Sequence, residues 1–444
     1  MNKPLFREVW NLVVPVILQG LVITVVFFTD RLLTGQYSDV ALASMQISGP
    51  LLWSLFSVFS AFTAGTMAII GRAVGAQEPQ RARKALSSIL LFSLVVGLVV
   101  MGACLQLRPW FANHLAGGPD AAAVQAEAIA YMGVVFWALP QNLILVTGVT
   151  ALQADGDTRS PMWFSIAQGT LNLFLSWALL WGHGPFPEMG IVGAGIGTLA
   201  SFSIGAVLVL GTLWFRSGNV TLRPLTRPSI EALKPILRLT GPAFGEKMLF
   251  HTAFVIFAAF VGHLGQAAMT ANQALIAIES LGFIVASGFS VASASLIAQK
   301  MGANRIDEAE QVGWISAGLG TLVLGSIGAL FWFFPGPLIE AFTDDPAIVA
   351  MAIPCLRLAA IVQPLMAICE ALAGGLRGAG DTRSPMIAAL IGPAIIRLSV
   401  CWFLAFKLEL GLIGVWYGTS LDWLIRVIFL VVVYKRGRWK LIKI

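Results

Sequence analysis

The sequence predicts an all-α polytopic membrane protein with twelve transmembrane helices in two pseudo-symmetric six-helix lobes. Three observations predict it. First, 57% of the 444 residues are hydrophobic and only 11% are charged, with a mean hydropathy of +0.84, whereas soluble domains carry about 25% charged residues. Second, apolar windows of about twenty residues, each long enough to cross a hydrocarbon core, recur along the chain. Third, the chain repeats itself.

Taken in order, the windows fall at 9–34, 44–70, 86–106, 123–151, 162–182 and 191–214, then at 236–262, 268–298, 312–334, 348–375, 386–406 and 411–434. The first window follows a short head and runs through Asp30 without a small-residue cleavage site, so no cleaved leader is expected. The four cysteines, Cys104, Cys355, Cys369 and Cys401, all lie inside windows without a C-x-x-C pair, as small packing residues do.

The basic residues orient the chain. Of 28 Lys and Arg, 21 fall on the side of both termini, three (Arg31, Arg108, Lys407) on the opposite side and four inside windows. This is the positive-inside pattern, so both termini are expected in the cytoplasm, with the chain multi-pass in the inner membrane. The net charge of +6 is then topological, and no nucleic-acid partner is expected.

Laid on the second half, the first half matches in register. Pro15, Gly35, Ala41, Gln46 and Gly75-Ala76 meet Pro242, Gly262, Ala268, Gln273 and Gly302-Ala303 at an offset of 227. Gly156-Asp157-Thr158-Arg159-Ser160-Pro161-Met162 repeats without change as Gly380-Asp381-Thr382-Arg383-Ser384-Pro385-Met386. Gly190, Gly193, Gly197 and Thr198 meet Gly411, Gly414, Gly418 and Thr419. Each unit holds an even number of spans, so the repeats are parallel and related by an axis along the membrane normal. The expected organisation is a first lobe over 1–215, a linker over 216–235, a second lobe over 236–434 and a basic tail over 435–444. In the repeated turn, glycine ends one helix, aspartate caps the next and proline suits its first turn.

No G-x-x-x-x-G-K-[ST] stretch is present, and His114, His183, His251 and His263 have no metal-ligand spacing, so neither nucleotide hydrolysis nor a metal centre nor any enzyme activity is expected. Uphill movement of a solute would therefore draw on an ion gradient, with no other cofactor.

Charges at bilayer depth are costly and mark candidate sites unless a partner explains them. In the second lobe Glu246, Glu279, Glu370 and Asp422 face Lys247, Arg357, Arg397 and Arg426. Asp422 and Arg426 are four apart on one helix face and are expected to pair. Glu246, Glu370 and Arg397 sit at a similar depth, roughly 15–17 Å from the side of the termini, and are expected to form one network, either structural or engaged in protonation or substrate binding. In the first lobe Asp30 is the only deep acid, with no deep Lys or Arg to neutralise it, and Arg31 points about 100° away around the helix. Such a carboxylate either carries a coupling ion or snorkels to the outer interface.

These motifs resemble those of the multidrug and toxic compound extrusion (MATE) transporters, in the bacterial NorM/DinF-like branch. The resemblance rests on Asp30-Arg-Leu-Leu-Thr-Gly35 with Ala41, on Gly75-Ala76, on Leu376-Arg-Gly-Ala-Gly-Asp381 and on Gly190-Ile-Val-Gly193-Ala194, and it covers essentially the whole chain. It implies efflux of organic cations or drugs by antiport with H⁺ or Na⁺ through alternating access of a two-lobe cleft. The partners it implies are small-molecule drugs, a monovalent cation and the lipid bilayer, and a monomer is expected. The family's first-span Asp falls on Asp30 and its fifth-span Asn on Asn172, while the acid four residues on is Ser176 here, which favours protonation over a multi-carboxylate sodium site. Acids that some members carry in spans 7 and 10 would fall on Phe250 and Met366; here Glu246 and Glu370 stand four residues away. Asp30, Asn172, Glu246 and Glu370 are thus the cation-coupling candidates. Gln46, Trp53, Phe62, Gln273, Phe283 and Arg397 are the substrate-cleft candidates, with Phe56 and Phe289 as further aromatics. The alternative within the same superfamily is a lipid-linked oligosaccharide flippase, which would favour a strongly cationic cavity.

Overall fold

The computed structural model describes residues 3–115 and 121–444. Eleven helices are long and apolar enough to cross a membrane: α1 (Pro4–Tyr37), α2 (Asp39–Gly75), α3 (Pro79–His114), α4 (Ala121–Ala154), α6 (Ile191–Phe215), α7 (Ile230–His263), α8 (Gln266–Gly302), α9 (Ile306–Phe333), α10 (Pro346–Gly378), α11 (Arg383–Lys407) and α12 (Gly411–Arg436). The twelfth, α5 (Arg159–Trp181), is at 23 residues long enough to span but shorter and more polar than the rest. Gln168, Thr170, Asn172 and Ser176 lower its hydropathy, and two of these, Asn172 and Ser176, are buried inside the protein. The architecture is the expected one of twelve helices in two six-helix lobes.

The start of α1 and Ile444 lie at one face, called here the terminal face. The duplicated turns at this face have the expected local chemistry. Asp157 accepts hydrogen bonds from Ser160 N–H at 2.9 Å and Ser160 Oγ at 2.7 Å, and Asp381 repeats this with Ser384 at 3.0 and 2.6 Å. Gly156 and Gly380 both take the left-handed conformation that ends the preceding helix. Among the described residues only the first copy also holds a cation: Arg216 at the end of α6 donates to Asp157 at 2.8 Å and to Asp155 at 2.7 Å. Burial pushes the Asp155 carboxyl above the ordinary carboxylate range, against the pull of Arg216, while the Asp157 charge adds to the rise.

The lobes close on each other at the terminal face. The repeated Gly75 and Gly302 are the points of closest approach: a Cβ on Gly75 would sit 1.9 Å from the Gln299 carbonyl oxygen, and one on Gly302 would sit 2.1 Å from that of Arg72. Hence α2 and α8 cross with their backbones in contact, which only glycine permits at both positions. Polar groups finish the seam. Ser295 Oγ donates to Gln153 O at 2.5 Å, and Gln299 Nε2 donates to Ala154 O at 2.8 Å.

The tail after α12 is docked as part of the same closure. Gly437 turns the chain, Trp439 is buried with its indole N–H donating to Tyr434 O at 3.0 Å, and the two rings stack at 4.9 Å. Arg72 of α2 then donates to Ala379 O at 2.7 Å and to Ile442 O at 2.8 Å, and Arg81 donates to Ile444 O at 2.7 Å. First-lobe arginines therefore grip second-lobe backbone.

Candidate functional site

The first-lobe candidate lies on α1 and α5. Asp30 is seven residues before the end of α1 at Tyr37, about 10 Å of helix rise from the far face. With the Asn172 amide turned so that both of its ends meet complementary partners, its nitrogen donates to Asp30 Oδ1 at 3.2 Å and Oδ2 at 3.1 Å, and its oxygen accepts from Thr198 N–H at 3.2 Å. Ser176, one turn further along α5, brings its hydroxyl alongside the same carboxylate but leaves it without a hydrogen bond. The buried Tyr131 phenol of α4 stands beside Asp30 and Thr198. Arg31 turns away and lies over the Phe27 ring at 4.3 Å. Among the described residues no Lys or Arg forms an ion pair with Asp30, so neutral oxygens and one amide surround the carboxylate.

The second lobe is organised differently from the expected network. Glu246 pairs with Arg377 at 2.6 Å, Arg397 pairs with Asp422 at 2.6 Å, and Arg426 pairs with the same Asp422 at 2.7 Å. The Asp422–Arg426 pair is as the spacing predicts. The expected network of Glu246, Glu370 and Arg397 does not form, and depth alone misled because azimuth decides partners. Over Leu390–Arg397 helix α11 widens into a π-helical stretch containing Pro393, a local re-registration of the kind that re-aims side chains at functional sites. Arg397 is turned onto α12 as a result. Two carboxylates are left over. Glu370 has no ion pair among the described residues, and Glu279, near Arg397 and Arg426, has an Oε1 shut off from solvent without a hydrogen-bond partner. Arg357 stands apart, exposed beside Trp332.

Among the cleft candidates, Gln46, Trp53, Gln273 and Phe283 are exposed. Trp53 of the first lobe meets His251 of the second edge-on at 4.7 Å and Phe254 at 6.2 Å. Phe283 packs edge-on against Trp423 at 6.1 Å, and the Arg426 guanidinium lies 3.7 Å over that indole, which links a cleft aromatic to the ion cluster. Phe62 instead packs within its own lobe on Phe59 and Phe92, as Phe56 does on Phe202. Phe289 is fully buried.

The MatE family model matches residues 15–178 and again 242–403. The chain belongs to the MatE family. A relative from Thermotoga maritima named probable multidrug resistance protein NorM is 28% identical over 98% of this chain and 93% of its own length. An uncharacterized transporter of Bacillus subtilis, YisQ, is 23% identical over 92% and 89%. Among solved structures, an outward-facing multidrug resistance MATE family transporter of the MOP superfamily superposes with a TM-score of 0.88 at 20% identity, covering 97% of this chain and 95% of that one. Thr198 and Tyr131 are the pocket residues of this MatE chain that sequence reasoning did not single out. Thr198 had a signal in its repeat partner Thr419, and Tyr131 is one of only four tyrosines and lies inside a span. Glu279 was counted in a charge balance, and a balanced count conceals which acid lacks a partner.

Proposed function

We propose that the chain is a secondary active multidrug efflux transporter of the inner membrane, acting as a monomer, with the terminal face in the cytoplasm. It exports organic cations or drugs in exchange for H⁺ by alternating access of the cleft between its lobes, and it carries out no catalysis. The observation that carries this reading is the Asp30 pocket. A carboxylate with no cationic partner, held by the Asn172 amide and bordered by Ser176, Thr198 and Tyr131, can gain and lose a proton without stranding a counter-ion. Asp422 lacks that freedom, because two buried arginines depend on its charge.

Family membership and the name of the Thermotoga maritima relative support drug export. The closed terminal face, with Gly75 and Gly302 in backbone contact, supports an outward-open cleft in which Gln46, Trp53, Gln273 and Phe283 meet substrate. H⁺ is favoured over Na⁺ because Ser176 stands where a second acid would complete a sodium site. The flippase alternative calls for several free cations facing the cleft, yet Arg377, Arg397 and Arg426 are each tied to a carboxylate, and among the described residues Lys247 is the deep second-lobe cation left without an ion pair beside the cleft candidates. Reconstituted vesicles loaded with ethidium, with H⁺ and Na⁺ gradients imposed separately, test the reading. Efflux should follow the H⁺ gradient, and efflux driven only by Na⁺ would reject the choice of ion.

A further inference from the structure

Where the linker between lobes passes under the first lobe, it leaves an apolar groove of roughly 360 Å³. It is lined by Leu90, Leu91 and Leu94 of α3, by Ile144 and Leu210, and on the linker side, its floor, by Leu222 and Leu225 to Pro228, with the exposed Arg227 among them. The floor is pinned rather than loose: Thr226 and Ser87 hydroxyls meet at 3.0 Å, Ser229 N–H donates to Ser88 Oγ at 2.9 Å, and Arg83 donates to Gly218 O at 3.3 Å.

Three features say what fills the groove. Leu91, Val95, Leu98 and Val99 form an exposed apolar stripe at helical spacing on α3, so the lipid-facing surface of the span runs directly into the groove. Leu225 of the linker is 72% exposed, Ile230 at the start of α7 83% and Phe215 at the end of α6 80%. Around them stand Arg223, Arg227 and Lys234, and among the described residues none of the three has an acidic partner within salt-bridge distance. Arg223 instead lies over Trp214 at 4.7 Å. Apolar insertion beside uncompensated cations is complementary to one kind of molecule, an acyl chain joined to a negative headgroup.

We propose that this groove binds an anionic phospholipid of the leaflet at the terminal face. One acyl chain lies along Leu91 and Leu94, and the phosphate sits at Arg227. Only the naming of that leaflet as the inner one rests on the orientation proposed above.

The test is native mass spectrometry of the detergent-purified full chain titrated with dioleoyl phosphatidylglycerol or dioleoyl phosphatidylcholine. It needs neither transport nor a known orientation, so its failure is distinct from failure of the transport reading. Phosphatidylglycerol should be retained in preference. Arg227→Gln should weaken it about fivefold, the effect of one cation near a membrane surface, and leave phosphatidylcholine unchanged. Arg436→Gln, which removes another exposed cation at the end of α12, should change nothing, and glycerol 3-phosphate should not compete. Leu94→Trp, which fills the groove, should reduce retention of both lipids. Equal retention of the two lipids by the parent protein, equal losses for Arg227→Gln and Arg436→Gln, or competition by glycerol 3-phosphate would each overturn the proposal.

Discussion

The Asp30→Asn variant separates folding from coupling. An amide is nearly isosteric with the carboxylate, and it removes a charge that no cation neutralises in the first lobe. The variant loses a hydrogen bond from Asn172 to a charged acceptor, a contact of about 1.5–3 kcal/mol, but it also sheds the cost of keeping an anion away from water. The two effects oppose each other, so the yield of folded protein should be close to that of the parent. Coupling has no such compensation. One proton moving down a step of one pH unit delivers about 1.4 kcal/mol, enough to sustain a roughly tenfold drug gradient at a stoichiometry of one. Asp30→Asn cannot take up that proton, so its gradient-driven accumulation should fall to the passive level, while Asp30→Glu should keep part of it. The assay is ethidium transport in proteoliposomes at equal protein content across an imposed pH step. Parent-like accumulation by Asp30→Asn would refute the assignment and shift attention to Glu279 and Glu370, the unpaired carboxylates of the second lobe.

Three further outcomes are expected. Asp422→Asn leaves Arg397 and Arg426 without their shared anion and should destabilise the protein by about 3–5 kcal/mol; a double-mutant cycle by thermal unfolding in detergent should show strong coupling for Arg397 with Asp422 and additivity for Arg397 with Glu370. Gly75→Val drives a side chain into the Gln299 carbonyl and should open the terminal face, read as faster labelling of a cysteine placed at Ala303; unchanged labelling would mean the seam yields elsewhere. Cysteines introduced in the His183 to Glu188 loop should react with an impermeant reagent from outside intact cells and those in the Arg216 to Arg227 linker should not, the reverse pattern being incompatible with cytoplasmic termini.

The architecture was legible because its determinants are one-dimensional. Apolar runs set the number of spans, and the exact repeat from Gly156 to Met162 at Gly380 to Met386 set the two-lobe plan. Asp30 was legible for the same reason, as an acid in a lobe with no deep base. Partner choice in the second lobe was not. Depth along a helix can be counted from sequence, but the azimuth of Arg397 depends on the wide turns of α11 over Leu390–Arg397, and no periodicity rule anticipates them. The docked tail was equally hidden. Lys435, Arg436 and Arg438 read as a solvated basic end, and only the tertiary structure places Trp439 in the core.

The repeat also shows where the lobes have parted chemically. At the offset of 227 that aligns the first spans, the counterpart of Asp30 is Phe257. Phe257 is buried, and the Arg397 guanidinium lies 5.9 Å from its ring while bound to Asp422. The position that carries an unpaired carboxylate in one lobe thus carries an aromatic ring under a neutralised cation in the other. Thr198 and Thr419 remain equivalent and each returns a hydroxyl hydrogen bond to its own helix at 3.2 Å, but the Thr198 N–H also donates to the Asn172 amide that holds the carboxylate. In this chain the first lobe keeps an acid that has no ion pair among the described residues, and the second ties its Asp422 to two arginines. On the reading proposed above, a coupling ion at Asp30 would act on one side of the seam that Gly75 and Gly302 close.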